Sequence, residues 1–327
     1  MALKDTILEI LESNRDTYTS GQQLATITGV SRAAIWKAIN SLKEQGYHID
    51  SVTNKGYKFA SSNNILSSGG IVSYLDKDLS CADIIVHKTT DSTNAESKRL
   101  ALSGAKEYTV VVAEEQTLGR GRLGRSFYSP TGTGIYMSVI LRPHMDLSSG
   151  VLITTGASVA VCKAIEKVTS FTPSIKWIND IYLNNKKICG ILTEAISDFE
   201  TGNIDSIILG IGVNVSTKTD DFPDDIKSTA GCISNDIEIN RNRLTAEILN
   251  ELKIIYDNLA PGSYISDYKS RSMLLGKDIF YIQNNEKKYC TAIDINETGG
   301  LVVKNTNGDI TTLSSGEVSV RLNNKPS

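Results

Sequence analysis

The stretch GRGRLGR, residues 119–125, limits the possible folds of this 327-residue chain more than any other short segment. Its glycines fit G-x-G-x-x-G, which in dinucleotide-binding domains follows a strand and opens a helix. Here the strand-like YTVVVAEE precedes the stretch, and SFYSPTGTG then leads into a second strand-like segment, IYMSVILRP. A loop between two strands excludes the dinucleotide-binding interpretation. A protein kinase is excluded as well, because the sequence contains neither HRD nor DFG.

The residue types of this loop say more than its spacing. Glycine lets a backbone approach a ligand closely, and arginine presents a planar fork of donors suited to carboxylate and phosphate oxygens. Arg120, Arg122 and Arg125 are interleaved with the glycines. We therefore expect the loop to bind an anionic ligand and to be mobile without it. The alternative is a solvated basic hairpin tip.

Residues 1–60 have the pattern of a small separate unit. Ile7, Leu8 and Leu11 mark one face of a first helix, and Ser20 and Gln23 fit a capping box that opens a second. Leu24 and Ile27 are the apolar positions of the second helix, which Gly29 ends. Ser31 caps a third helix with apolar residues at helical spacing, and the turn Asn54-Lys55-Gly56 then predicts a hairpin. Three helices and a hairpin predict a winged helix-turn-helix domain, with its third helix as the recognition element.

Charge in the same segment favours DNA binding. The whole chain carries a net charge of −3, so contact with nucleic acid requires a local basic patch. Residues 31–60 contain five lysines and arginines against two acidic residues. The candidate DNA-binding residues are Ser31, Arg32, Trp36, Lys37 and Lys55. A helical protein-interaction module with a solvated basic face is the alternative.

The remainder of the chain divides into two further regions. After the linker-like SSNNILSSGG, which could run into a short element, strand-like and helix-like segments alternate to about residue 270. From Gly276 onward short strands alternate with turns, which predicts a small terminal β-barrel. We therefore predict an α+β multidomain chain with domains at residues 1–62, 63–272 and 273–327.

Three other segments contain candidate chemistry. In KWINDIYLNNKKICGILTE, Asn184-Asn185 is a turn, so a hairpin brings Asp180, a candidate Mg²⁺ ligand, near Lys187, which could neutralise phosphate. In TTDSTNAE, residues 92–94 precede a helical pattern. In GIGVNV, residues 210–215, glycines in a buried strand permit a close approach. Each segment also has an ordinary structural explanation: a turn acid and a surface lysine, a helix cap, or tight packing.

Several function classes are disfavoured by composition. The five cysteines form no C-x-x-C pair, and there are only three histidines, which argues against a zinc site, a disulfide framework or a His-based triad. The charged N-terminal segment does not resemble a signal peptide, and no apolar run approaches the roughly 20 residues of a membrane span. We expect a cytoplasmic protein without a membrane partner.

The combination of DSTN, GRGRLGR, KWIND with KKICGIL, and GIGVNV, in that order, resembles the biotin–protein ligase family. With the N-terminal winged helix, the whole chain resembles the bifunctional bacterial members that also repress the biotin operon. The resemblance implies a mixed α/β catalytic domain like that of class II aminoacyl-tRNA synthetases and an SH3-like C-terminal barrel.

The resemblance implies that biotin and ATP, with Mg²⁺, form biotinyl-5′-AMP, from which biotin passes to a lysine of the biotin carboxyl carrier protein of acetyl-CoA carboxylase. It also implies an adenylate-bound homodimer on operator DNA, with the adenylate as corepressor. The residues that it places at biotin are Ser92, Thr93, Asn94, Gln116, Arg120, Gly121, Arg122 and Lys187. Those at ATP or the adenylate are Arg122, Arg125, Phe127, Asn179, Asn214 and Arg321, and the catalytic set is Arg122, Lys187 and Asp180, with Asp180 also at the metal.

Three positions depart from the family's usual residues. Leu123 stands where the family's best-known loop has arginine, Phe127 where tryptophan is common, and Ile178 where proline is frequent. None of the three removes a group that the chemistry needs. The alternatives to a ligase and repressor are a ligase whose N-terminal domain does not regulate, a non-enzymatic biotin sensor, and a lipoate-type ligase.

Overall fold

The N-terminal unit has three helices followed by a hairpin, as predicted. The computed structural model describes residues 2–79, 82–143, 149–197, 204–283, 286–314 and 319–322, with side chains at 149 and 319–322 left outside this description. The elements of this unit are α1 (Leu3–Ser13), α2 (Gly21–Thr28), α3 (Arg32–Glu44), β1 (Ile49–Val52) and β2 (Gly56–Phe59). Its apolar side chains form a cluster of their own around Ile7, Leu24, Ile35 and Leu42.

The predicted helix ends are confirmed, and one predicted core position is wrong. Ser20 and Gln23 form a capping box at α2, Gly29 ends that helix in the left-handed conformation (φ 69°), and Ser31 caps α3. Ile27, however, is 62% exposed. The short helix buries only Leu24 and Ala25, and Ile27 lies about 110° around the helix from the centre of that face.

The central region is built on a seven-stranded mixed sheet of order β3-β4-β5-β9-β8-β7-β6. Only β3 and β4 pair in parallel, and every other neighbouring pair is antiparallel. The strands are β3 (Asp83–His87), β4 (Thr109–Ala113), β5 (Gly134–Leu141), β6 (Ser174–Lys176), β7 (Asp180–Leu183), β8 (Lys186–Ser197) and β9 (Ile204–Asn214). The β7–β8 hairpin turns at Asn184 and Asn185, both with positive φ, as predicted for this turn chemistry.

Helices cover both faces of this sheet. The central helices are α4 (Ser68–Val72), α5 (Thr93–Leu102), α6 (Ser149–Val168), α7 (Asp224–Lys227), α8 (Arg241–Asp257) and α9 (Ile265–Ser270). α5 packs through Ala101 on Ile140 and Ile208, while the alternate residues of the same strands pack in the large core beneath α6 and α8. Every residue of β5 is buried, as expected for a strand covered on both faces.

The C-terminal region is a five-stranded antiparallel sheet of order β13-β12-β11-β10-β14. Its strands are β10 (Asp278–Gln283), β11 (Glu286–Ile295), β12 (Leu301–Asn305), β13 (Ile310–Leu313) and β14 (Ser319–Leu322). Its apolar residues belong to the same core as those of the central region, and the Trp177 indole donates to the Gly299 carbonyl at 2.9 Å. None of the described helices is both long and apolar enough to cross a membrane.

The segment joining the winged helix to the central region is packed rather than free. The predicted linker runs into α4, the second of the two alternatives, and a Cβ on Gly69 would lie 2.1 Å from the Asp5 carbonyl in α1. The nearby Glu12 carboxylate is buried and accepts hydrogen bonds from Arg15, Tyr74 and Asn240. A buried carboxylate with three donors therefore fastens α1 to the start of α8.

Replacing Glu12 with glutamine is expected to loosen this contact. A hydrogen bond to a charged group contributes about 1.5–3 kcal/mol, so amide hydrogen exchange in α1 should become about tenfold faster or more. Glu44→Gln, at the exposed end of α3, is the matched control. Equal exchange rates in the two variants would show that Glu12 does not stabilise the packing of α1 against the start of α8.

Candidate active site

A polar pocket lies between the N-terminus of α5 and the middle of the central sheet. A pocket of about 310 Å³, partly open to solvent, lies there beneath the glycine- and arginine-rich segment. Its walls come from α5, from strands β5, β8 and β9, and from that segment. The lining residues are Ser92, Thr93, Asn94, Gln116, Arg120, Phe127, Tyr136, Met137, Gly190, Leu192, Gly210, Ile211 and Gly212.

Five of the residues expected at biotin line this pocket directly: Ser92, Thr93, Asn94, Gln116 and Arg120. Gly121, Arg122 and Lys187 lie next to it rather than in its lining.

The start of α5 presents polar groups to the pocket. Ser92 occupies the N-cap position, yet its side chain makes no capping hydrogen bond, so the capping alternative does not account for its hydroxyl. The Thr93 amide and hydroxyl lie 2.8 and 3.1 Å from Gln116 Oε1, and Gln116 Nε2 donates to Ser129. These hydrogen bonds hold the Gln116 side chain against the N-terminus of α5.

Two glycines of β9 make room for these side chains. A Cβ on Gly210 would lie 2.1 Å from Oδ1 of Asn94, and one on Gly212 would lie 2.7 Å from the Phe127 ring. The close approach expected for GIGVNV is therefore an approach of the protein's own pocket-lining side chains. Phe127 also meets Tyr136 edge to face, with ring centroids 6.4 Å apart.

The GRGRLGR segment folds as a small hairpin beside the pocket. The Gly121 amide donates to the Arg125 carbonyl at 2.7 Å, the Phe127 amide donates to that of Gly119 at 2.9 Å, and Leu123 has a positive φ of 57°. Arg120 and Arg125 are exposed, whereas Arg122 is partly buried and donates to Asn179 Oδ1 at 3.1 Å. Burial lowers the pKa of Arg122 below its usual value, and nearby Asp180 opposes that effect.

A second group of charges meets the pocket at Gly190. Lys187 Nζ lies 2.6 Å from Asp180 Oδ1, as the predicted hairpin requires, and 3.3 Å from where a Gly190 Cβ would stand. Since Gly190 lines the pocket, the Lys187 ammonium lies at its edge. Arg122, Asn179, Asp180 and Lys187 thus form one polar cluster, although they come from segments more than 50 residues apart.

The Mg²⁺ assignment rests on a single carboxylate. No group of three or more His, Cys, Asp or Glu side chains that could hold a metal occurs within the described residues. Mg²⁺ is commonly held by one or two carboxylates together with substrate phosphates, so Asp180 alone is compatible with an ion that arrives with ATP.

Sequence reasoning missed the segment that runs beside this cluster. The Lys187 amide donates to the Thr229 carbonyl, and the Gly231 amide donates to the Lys187 carbonyl. Asn214 Nδ2 donates to the Gly231 carbonyl at 2.9 Å, while its buried Oδ1 has no hydrogen-bond partner among the described residues. The sequence gives no local signal for the two Lys187 contacts, because they join positions about 40 residues apart.

The remaining expected residues lie in the two outer regions. Arg321 pairs with Phe280 in the C-terminal sheet, and its side chain lies outside the described part of the chain. Arg32, Trp36, Lys37 and Lys55 are exposed on α3 and on the hairpin turn, with Trp36 at 58%. The Ser31 hydroxyl accepts from the Ala34 amide at 3.2 Å, so this side chain caps α3.

Known protein families match both the central region and the N-terminal unit of this chain. Residues 86–214 match the Biotin/lipoate A/B protein ligase family, and residues 4–58 match an HTH domain family. The bifunctional ligase/repressor BirA of Bacillus subtilis (strain 168) is 38% identical over 232 residues, 71% of each chain. That of Escherichia coli (strain K12) is 27% identical over 309 residues, 93% of each chain.

Solved structures give the same result. The biotin protein ligase from Aquifex aeolicus in complex with biotin and ATP is 28% identical, with a TM-score of 0.63 over 73% of this chain and 99% of that one. The matched residues include the α5 start, the glycine- and arginine-rich hairpin and the Lys187 cluster, all within residues 86–214. The chain therefore belongs to the BirA family of bifunctional ligase/repressors.

Proposed function

We propose that this protein is an ATP-dependent biotin–protein ligase that also represses transcription with its own reaction intermediate as corepressor. The observation that carries the ligase assignment is the Lys187 ammonium at the edge of a small polar pocket. Such a site can hold an uncharged bicyclic head group inside and a carboxylate at the cationic edge. Both halves of the proposal agree with the family to which the chain belongs.

The reaction has two steps. A biotin carboxylate oxygen attacks the α-phosphorus of ATP, the bond to the bridging oxygen breaks, and pyrophosphate leaves from biotinyl-5′-AMP. A carrier lysine amine then attacks the acyl carbon, and AMP leaves with the bonding electrons as the amide forms. No enzyme nucleophile is needed, so catalysis depends on positioning and on stabilising charge.

The polar cluster supplies that stabilisation. Lys187 would bridge the biotin carboxylate and the α-phosphate, and Arg122 would approach the same oxygens from the hairpin. Asp180 orients Lys187 through their 2.6 Å ion pair. It would also hold Mg²⁺, which neutralises phosphate charge when bound. Ser92, Thr93, Asn94, Gln116, Arg120 and Gly121 would surround biotin, and Arg125, Phe127, Asn179, Asn214 and Arg321 would face the nucleotide.

The ligase assignment is tested by biotin-dependent exchange of labelled pyrophosphate into ATP. We expect exchange with biotin and none above background with lipoate, because the pocket is lined by polar groups suited to a compact ureido head. An active control ligase confirms the assay. Exchange with lipoate alone would assign a lipoate-type ligase, and exchange with neither would contradict the ligase proposal.

In the proposed repressor function, the protein binds biotinyl-5′-AMP first and operator DNA second. The exposed basic side chains of α3 and the hairpin suit phosphate contacts. When carrier protein is scarce, the retained adenylate would favour a DNA-binding homodimer through a population shift. Residues 192–197 of β8 extend beyond its β7 partner, and among the described strands they pair on one side only, which leaves an edge for a second copy.

Operator binding is expected to strengthen with biotinyl-5′-AMP and to weaken with salt. The slope of log affinity against log salt is negative, and each lost phosphate contact makes it shallower by about 0.9. Lys37→Ala should therefore make the slope shallower by roughly one unit. Fluorescence anisotropy with promoter DNA of the biotin operon measures both effects, and Lys163→Ala, on α6 of the central region, is the control. Affinity that ignores both adenylate and salt would favour a ligase whose N-terminal domain does not regulate.

We also infer the finer architecture from the same relationship. The proposed domains are residues 1–62, 63–272 and 273–327, the central one built like a class II aminoacyl-tRNA synthetase and the last an SH3-like barrel. The separate apolar cluster of the winged helix supports the first boundary. The thiols of the four described cysteines are free, which supports a reducing cytoplasm.

A further inference from the structure

A hydrogen-bonded chain, buried except at its Glu194 end, runs across the strands of the sheet beneath the pocket. It begins at Glu194 on β8, passes through Asn94 on α5 and Ser138 on β5, and ends at Thr93 in the pocket lining. We infer that Glu194 is a positioning residue for biotin, which it controls by fixing the orientation of the Asn94 carboxamide. The inference rests on the proposed ligase function.

The two ends of the Asn94 carboxamide have different partners. Nδ2 donates to Glu194 Oε2 at 2.7 Å, and Oδ1 accepts from the Ser138 hydroxyl at 2.6 Å. Ser138 is fully buried and Asn94 is 5% exposed. Gly210 leaves the space that Oδ1 occupies, since a Cβ there would lie 2.1 Å away. The carboxamide therefore fits closely and cannot move aside.

A carboxylate in this place selects one of the two flipped states of the amide. An ionised carboxylate only accepts hydrogen bonds, so the amide nitrogen must face Glu194 and the oxygen must face Ser138. The flipped state would set Oδ1 against the carboxylate and leave two acceptors facing each other in a partly buried site, which is costly. A neutral side chain at position 194 could accept or donate, and would not enforce this choice.

The orientation is passed on to the pocket. The single proton of Ser138 is directed to Asn94, and the Ser138 oxygen lies 2.8 Å from Oγ1 of Thr93, which lines the pocket. Asn94 Nδ2 has a second hydrogen beyond the one shared with Glu194. Biotin's ureido group and thioether need donors and acceptors at fixed points, and Glu194 sets which of them Asn94 and Thr93 present. Glu194 itself is not among the pocket-lining residues.

The test separates positioning from structural support by comparing three variants. Glu194→Ala removes the acceptor, and Glu194→Gln keeps its size but not its charge. The double variant Glu194→Gln/Asn94→Asp restores a hydrogen bond with donor and acceptor exchanged. Asp205→Asn, which removes a carboxylate from the other strand of the same hairpin, is the control. The readouts are KM for biotin, KM for ATP and kcat in pyrophosphate exchange, together with the midpoint of thermal unfolding.

We expect Glu194→Ala to raise the KM for biotin about tenfold or more, with the KM for ATP and kcat within twofold of the unchanged protein. Glu194→Gln should give a smaller rise in the same parameter, and it carries the test if the alanine variant does not fold. The double variant should regain thermal stability and still bind biotin poorly, because its donor direction is reversed. Asp205→Asn should change none of the kinetic parameters.

Two results would overturn the inference. One is an unchanged KM for biotin in both single variants. The other is a double variant that recovers biotin binding together with stability, since a merely structural hydrogen bond would behave in that way. If the unchanged protein catalyses no biotin-dependent exchange, the proposed function fails and the inference fails with it, so the two failures are distinguishable.

Discussion

Replacing Lys187 with alanine is expected to slow biotin-dependent pyrophosphate exchange by about 10²–10³-fold, the usual effect of removing one preorganised group that stabilises transition-state charge. Negative charge converges on the oxygens of the carboxylate and the α-phosphate as they approach each other. Lys187 Nζ stands at the pocket edge beside Gly190, held by Asp180 at 2.6 Å. Without the Lys187 ammonium, no positive charge from β8 offsets the repulsion between the carboxylate oxygens and the α-phosphate oxygens.

The chain offers a closely matched control for this variant. Lys163 on α6 is paired with Asp267 at 2.9 Å, and its side chain is 37% exposed against 34% for Lys187. Lys163→Ala thus removes a similarly exposed, ion-paired lysine that does not line the pocket. This variant should leave the exchange rate within twofold of that of the unchanged protein. Steady-state exchange rates at saturating biotin and ATP make the comparison. A Lys187→Ala rate close to that of Lys163→Ala would refute the catalytic role.

The second large effect is expected from Gly210→Ala, which should raise the KM for biotin about 10- to 100-fold. The added methyl group would lie 2.1 Å from Asn94 Oδ1, so something must shift. Asn94 is held from both sides by Ser138 and Glu194 and cannot yield without breaking a buried hydrogen bond. Overpacking of this kind costs about 1–3 kcal/mol, and here the cost falls on a pocket-lining side chain.

Gly21→Ala is the control for this substitution. A Cβ on Gly21 would meet Tyr57 at 3.5 Å, an ordinary contact, and the residue lies at the start of α2 in the winged helix. The control should leave the KM for biotin unchanged. Isothermal titration with biotin gives an independent affinity for both variants. If Gly210→Ala binds biotin as tightly as Gly21→Ala does, Ser138 and Glu194 do not hold the Asn94 carboxamide in a fixed position.

Features set by neighbouring residues were predictable from the sequence. Asn184 and Asn185 specify the hairpin turn because asparagine tolerates positive φ, and that turn alone brings Asp180 to Lys187. The Ser20 and Gln23 capping box is similarly local, and it was predicted correctly. The strands on either side of GRGRLGR, β4 and β5, lie where the sequence predicts them, and this order excludes a dinucleotide-binding fold.

Features set by distant contacts were not predictable in this way. Glu194 ends an apolar strand segment and resembles a solvated strand end, but it meets Asn94 across 100 positions. Glu12 and Arg241 look like exposed charges of amphipathic helices, yet both are 2% exposed. Arg241 pairs with Glu114, and Glu12 gathers three donors. A buried charge is stabilised by partners that the fold supplies, and local sequence carries no signal for them.

The most direct test of the account is the mass of a biotin carboxyl carrier domain after incubation with this protein, biotin, ATP and Mg²⁺. The expected result is a gain of one biotinyl group on the carrier, lost when ATP or biotin is omitted and strongly reduced with Lys187→Ala. A carrier that stays unmodified, while a control ligase modifies it fully under the same conditions, would contradict the account.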